Sequence, residues 1–250
     1  MRYFVQFSYF GQAYHGWQSQ PNAISVQQVL EEAFGTLLRR PITLVGAGRT
    51  DAGVHARQMF AHFDVEPLTD CPEVVRRLNA YLPQDIAVQQ IFQVPSGAHA
   101  RFDAISRTYS YWVVQRKNPF YRDTAHYVRH PLDMGQMNRA AQILLAHSDF
   151  ECFSKSHTDV KTYLCQVTKA KWEQKGERLI FTIRADRFLR NMVRAIVGTL
   201  LHVGIGHWNV GHVNTILKSR DRSMAGPSVP AKGLYLTTIG YPETIIKTHG

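Results

Sequence analysis

Ile42-Thr43-Leu44-Val45-Gly46-Ala47-Gly48-Arg49-Thr50-Asp51-Ala52-Gly53-Val54-His55-Ala56-Arg57-Gln58-Met59-Phe60-Ala61-His62-Phe63-Asp64-Val65 sets two apolar runs on either side of a polar loop that contains two glycines. Residues 42–47 read as a short strand, and Met59, Ala61, Phe63 and Val65 alternate as the next. Working back, Ser25 with Gln28 three residues on opens a helix whose stripe is Val26, Val29, Leu30, Ala33, Phe34, Leu37 and Leu38. Tyr3, Val5, Phe7 and Tyr9 before it alternate as a first strand. Working forward, residues 72–81 read as a helix with Pro72 in its first turn, and residues 86–94 as a fourth strand. The order is β-α-β-β-α-β, a ferredoxin-like arrangement.

The remainder repeats that order. Residues 107–115 form a strand rich in Tyr, Trp and Val, and Asp133 with Gln136 opens a helix carrying Met137, Ala140, Ala141, Leu144 and Leu145. Residues 166–173 and 179–185 read as a strand pair joined by a turn over 174–177. A strongly apolar helix is predicted from about Phe188 to the glycines at 204 and 206, then a short helix over 210–218 and a last strand over 234–241. The reading is therefore an α+β chain of two ferredoxin-like halves, 1–105 and 106–250, whose strands are able to join in a mixed central sheet with a cleft between them.

Composition bounds the class. A chain of 250 residues, 44% hydrophobic and 19% charged, can build its core without disulfides or structural metal. Cys71, Cys152 and Cys165 form no CxxC pair and read as small apolar residues. No apolar stretch is long enough to span a bilayer and no secretory leader is visible, so a cytoplasmic protein is expected. Lys and Arg total 29 against 19 Asp and Glu, a formal charge of +10, which favours a polyanionic partner without naming it.

Three segments could carry chemistry. The 48–56 loop places Arg49, Thr50, Asp51 and His55 among glycines that can adopt positive φ, at the end of a strand. Its residue types fit two readings equally, a functional carboxylate or an Asp that caps a turn and pairs with Arg49. In residues 101–112, arginines alternate with aromatics, a pattern suited to phosphates and exposed bases, although an ordinary strand would look similar. In residues 186–194, Arg187, Arg190, Asn191 and Arg194 fall at helical spacing on one face, which by default is a solvated face. HExxH, GxSxG and dinucleotide-binding fingerprints do not occur, and the histidines show no ligand spacing.

Taken in order, Tyr14-His15-Gly16-Trp17-Gln18, Gln20-Pro21-Asn22, Ser25-Val26-Gln27, Ala47 through Ala56, His62-Phe63, Leu82-Pro83-Gln84-Asp85-Ile86, His99-Ala100-Arg101-Phe102-Asp103-Ala104, Arg107-Thr108-Tyr109-Ser110-Tyr111, Asn191-Met192-Val193-Arg194-Ala195-Ile196-Val197-Gly198 and Gly233-Leu234-Tyr235-Leu236 resemble the tRNA pseudouridine synthase A family over nearly the whole chain. The resemblance implies isomerisation of uridines at nucleotides 38 to 40 of the tRNA anticodon arm, by a homodimer, with no cofactor and no metal. It implies Asp51 as nucleophile, Tyr109 stacking on the target uracil, Arg49 filling the gap left by a flipped base, and Arg194 pairing with Asp51. Phe10, Ala98 and His202 depart from the family's usual Asp, Phe and acidic residue. Competing expectations are a catalytically silent RNA-binding module and a metal-dependent hydrolase using Asp51 and His55.

Overall fold

In the computed structural model, which describes residues 1–155 and 160–246, β1 (Arg2–Tyr9) opens the chain with alternate residues packed inward. Helix α1 (Val26–Leu38) follows, its first turn capped by the Ser25 hydroxyl accepting from the Gln28 N–H at 3.2 Å. It buries Val26, Leu30, Ala33 and Phe34, and the Phe34 ring lies 5.0 Å from that of Phe63. Val26, Leu30 and Phe34 each contribute about 1.5–3 kcal/mol on leaving water.

The strand predicted over 42–47 shrinks to β2 (Val45–Gly46). The reason lies in α1. The Leu44 N–H donates to Glu31 Oε1 at 2.8 Å, and the Leu44 carbonyl accepts from Gln27 Nε2 at 3.0 Å. Those backbone groups are satisfied by helix side chains, so they make no ladder. β3 (His55–Asp64) is longer than the alternation implied, because the loop already turns into strand at His55. Helix α2 (Cys71–Tyr81) is capped by Asp70, and its Asn79 amide bonds both the N–H and the carbonyl of Val88 on β4 (Ile86–Gln93). The strands lie in the order β4-β1-β3, all antiparallel, with β2 antiparallel on the C-terminal part of β3. That is the ferredoxin-like order for this half.

β5 (Ser106–Val114) begins a second set, with the two-residue β6 (His126–Tyr127) parallel to its end. Helix α3 (Met134–Ile143) starts at the Asp133 cap, as its spacing predicted. β7 (Val167–Lys175) and β8 (Arg178–Ala185) form the expected hairpin, turning at Gly176-Glu177 with Gly176 at φ +60°, and the order is β5-β8-β7, antiparallel. Helix α4 (Met192–Gly204) is buried at almost every position except Arg194 and His202, and α5 (His212–Ser219) follows. β9 (Leu234–Gly240) then pairs parallel with the start of β3, His55 opposite Tyr235.

The fold is thus mixed α/β, with nine strands and five α-helices among the described residues. Contacts gather into two units, one made of Met1–Ile105 with the segment from Tyr235 on, the other of Ser106–Leu234. Cys152 and Cys165 are buried, which pushes each thiol up to about 12, while Cys71 is only partly covered. No helix among the described residues is long and apolar enough to cross a membrane.

Candidate active site

The 48–56 loop is a turn held from one side. The Val54 N–H donates to the Asp51 carbonyl at 3.2 Å, and Gly53 sits at φ +76°, as the third residue of a type II turn requires. Gly48 is not at positive φ and a side chain there would meet nothing, so the freedom expected of both glycines is used at Gly53 alone. Arg49 is exposed and Asp51 half-buried.

Residues 9–17 form the clamp. The Tyr9 and Thr50 hydroxyls are 2.8 Å apart, the Trp17 N–H donates to the Thr50 carbonyl at 3.3 Å, and the Gly53 N–H to the Tyr14 carbonyl at 3.2 Å. The contact is backbone on backbone. A Cβ on Gly11 would lie 2.0 Å from the Val54 carbonyl oxygen, and one on Gly16 2.3 Å from that of Thr50. The clamp is anchored in turn to the start of β4, since the Tyr14 hydroxyl donates to Asp85 Oδ1 at 2.6 Å and the Phe10 N–H to the Asp85 carbonyl at 2.8 Å. Burial and the Asp85 carboxylate both push the Tyr14 phenol up. The segments around His15-Gly16-Trp17 and Pro83-Gln84-Asp85, noted in the sequence without a role, therefore support the loop.

His55 ends the loop with 1% of its surface exposed. Its Nδ1 accepts from the Gly11 N–H at 2.9 Å, which assigns the ring proton to Nε2. Phe10, one of the departures from the family pattern, stacks on this ring at 4.2 Å and 14°, and Tyr235 flanks it at 4.7 Å. The imidazole is thus packed and hydrogen-bonded as part of the loop's base.

Tyr109 and Arg194 lie in the other unit. Tyr109 is half-buried on β5, its ring edge-on to Phe188 at 5.2 Å and 89°. Arg194 stands in the first turn of α4, where its Nε donates to the Val229 carbonyl at 2.7 Å while the Val229 N–H donates to its own carbonyl at 3.3 Å. The segment carrying Val229 lies directly on the helix. A Cβ on Gly198 would be 1.8 Å from the Pro227 carbonyl oxygen, and the Gly226 N–H donates to Thr199 Oγ1 at 2.9 Å. Small residues at 198 and 199 in an otherwise bulky apolar helix were the available sequence signal for this packing.

One expectation fails here. Arg187, Arg190 and Asn191 do not share a helix face with Arg194, because the helix begins only at Met192. Asp186 Oδ1 accepts from the Gln166 and Arg187 N–H groups at 2.7 Å each, and Asn191 is left-handed at φ +66°. The Arg190 carbonyl accepts from the Lys155 N–H at 3.0 Å, and with Asn191 left-handed the helical backbone starts only after it.

The pieces are a clamped, half-exposed carboxylate beside an exposed arginine at the entry to β3, and a strand tyrosine with a helix arginine in the second unit. A family model described as tRNA pseudouridine synthase matches residues 6–103 and 140–242. The chain belongs to the tRNA pseudouridine synthase family. The protein is accordingly an isomerase. The family match takes in Arg49, Asp51 and Arg194, whereas Tyr109 falls between its two stretches. Among similar proteins, the tRNA pseudouridine synthase A of Parabacteroides distasonis is 51% identical over 245 residues, covering 98% of this chain and 97% of that protein. That of Bacteroides fragilis is 51% identical over 249 residues, 98% of each chain. That of Exiguobacterium sibiricum is 35% identical over 243 residues, 97% and 98% of the two.

Proposed function

We propose that the chain converts uridine to pseudouridine at nucleotides 38 to 40 of the tRNA anticodon arm, as a cytoplasmic homodimer needing neither metal nor cofactor. The single observation that carries this reading is Asp51 itself, held at a strand end in a turn whose backbone is clamped by residues 9–17. The N1–C1′ bond breaks, the uracil turns, and C5 bonds to C1′. C5 loses a proton and N1 ends protonated, so the sum is an isomerisation. No water attacks, and one carboxylate suffices where glycosidases need two. Asp51, ionised, acts as the nucleophile.

Arg194, whose Nε donates to the Val229 carbonyl, is the arginine assigned to keep that carboxylate ionised. Tyr109 stacks on the target uracil, and Arg49 fills the place of the flipped nucleotide, which a side chain exposed on the loop can reach. The test is to map pseudouridine in unmodified tRNA after incubation with the protein. Conversion at 38 to 40 by the wild type and none by Asp51→Asn, with tRNA affinity retained, is the expected result. Conversion surviving Asp51→Asn would sink the assigned nucleophile. Tight tRNA binding without conversion by the wild type would leave only a binding module.

A further inference from the structure

The turn after β4 contains an aromatic ring held rigid and left in water. The His99 ring meets His62 of β3 edge-on, with centroids 4.6 Å apart. Its Nδ1 accepts from the N–H groups of Arg101 and Phe102 at 3.1 and 3.3 Å, while Asp103 Oδ2 accepts from the His99 N–H at 2.7 Å. The Asp103 N–H donates back to the His99 carbonyl at 3.1 Å, and the Ala100 N–H to His62 Nδ1 at 3.1 Å. The Tyr241 hydroxyl donates to the Ala100 carbonyl. So fixed, the turn lays the Phe102 ring on His99 at 4.2 Å and 34°, yet 74% of Phe102 is exposed. The Arg101 guanidinium stands 5.8 Å from the Phe102 centroid, and Ile105 nearby is 56% exposed.

Both neighbouring imidazoles are neutral near pH 7, since burial lowers His62 and His99 alike. The acidic side chains are engaged locally, Asp64 with Arg2 and Asp103 with the turn's own backbone. What the turn offers outward is one open aromatic face with a cation beside it. A preorganised ring flanked by arginine is how proteins hold unpaired bases, because every base has a π-face and a phosphate alongside. A chain with a net charge of +10 favours that polyanion over a neutral protein surface.

We propose that Phe102, backed by His99 and flanked by Arg101, is a stacking platform for an unpaired base of the bound tRNA. It is a contact apart from the catalytic loop. The loop enters β3 at His55 and His99 packs at His62, seven residues on and so about 23 Å along the strand. The proposal rests on tRNA being the substrate.

The experiment compares wild type, Phe102→Ala, Phe102→Leu and Phe102→Trp for tRNA affinity, single-turnover conversion at saturating tRNA, and sedimentation. Loss of one stacked base corresponds to a loss of affinity of about tenfold within a range of ~5- to 150-fold. Phe102→Ala should show it with its saturating rate and sedimentation unchanged, and Phe102→Trp should recover it. Wild-type affinity in Phe102→Ala overturns the platform and leaves the enzymatic reading intact. Equal recovery by Phe102→Leu overturns stacking, and a changed sedimentation coefficient makes the ring a contact between copies of the chain. Tight wild-type binding without isomerisation, with Phe102→Ala still weaker, leaves the platform standing and removes the proposed reaction.

Discussion

At Gly11 the Val54 carbonyl oxygen occupies the place of a side chain, and that single exclusion aligns the clamp with the turn holding Asp51. Gly11→Ala has no flexible neighbour to displace, since the blocking atom is backbone. We expect a loss of about 1–3 kcal/mol in stability and a fall in single-turnover rate of at least tenfold. Chemical denaturation and pseudouridine mapping check the two parts, and an unchanged rate would detach the clamp from catalysis. His62 gives a second expectation. Its Nδ1 must be unprotonated to accept from Ala100, and burial lowers its pKa from 6.5 to about 4. As pH falls through 6.5 the unfolded chain takes up a proton that the folded chain refuses, so stability falls between pH 6.5 and about 4 and is full above. Melting temperatures across that window should decline, and His62→Gln should flatten the decline. At Asp51 and Arg49 the residue types alone fitted a functional carboxylate and a turn-capping Asp equally, and the reading as a site came from the resemblance to the family. Gly11, Tyr14 and Asp85 were not, because their roles are contacts made across some 40 to 75 residues of chain.

In α4, Gly198 reverses an ordinary rule. Alanine for glycine in a helix interior usually stabilises by about 1 kcal/mol. Here the new Cβ would lie 1.8 Å from the Pro227 carbonyl oxygen, and overpacking against backbone costs about 1–3 kcal/mol or more. The cost wins. Gly198→Ala should lower the melting temperature and, by lifting residues 226–229, loosen the Val229 carbonyl from Arg194 Nε. A scan showing higher stability and wild-type turnover would remove that segment from the arginine's support. Element starts at Ser25 and Asp133 were readable because a cap and its N–H lie three residues apart. The ends that misread, residues 42–44 and 188–191, are those where the Glu31 and Gln27 side chains and the Lys155 N–H compete for the backbone. Such competition is tertiary, and a periodicity search does not detect it.

Across the molecule the repeated β-α-β-β-α-β pattern was legible because each strand and helix carries its own period, and the mixed α/β architecture follows it. Charge is legible at this scale as well. With 29 basic residues against 19 acidic, tRNA affinity should fall steeply with salt, and four phosphate contacts would give a log–log slope of about −3 to −4. Titrations at several ionic strengths check this, and a slope near zero would mean that the excess charge does not serve binding. The pairing of Tyr235 with His55 has a consequence for biogenesis. The wall behind the Asp51 turn is built from residues made 180 positions apart. At about 5–20 residues per second, a nascent chain waits roughly 10–35 s between making His55 and making the ring that covers it. During that interval the loop's base lacks one side, so the turn that holds Asp51 is walled in only once Tyr235 has been made.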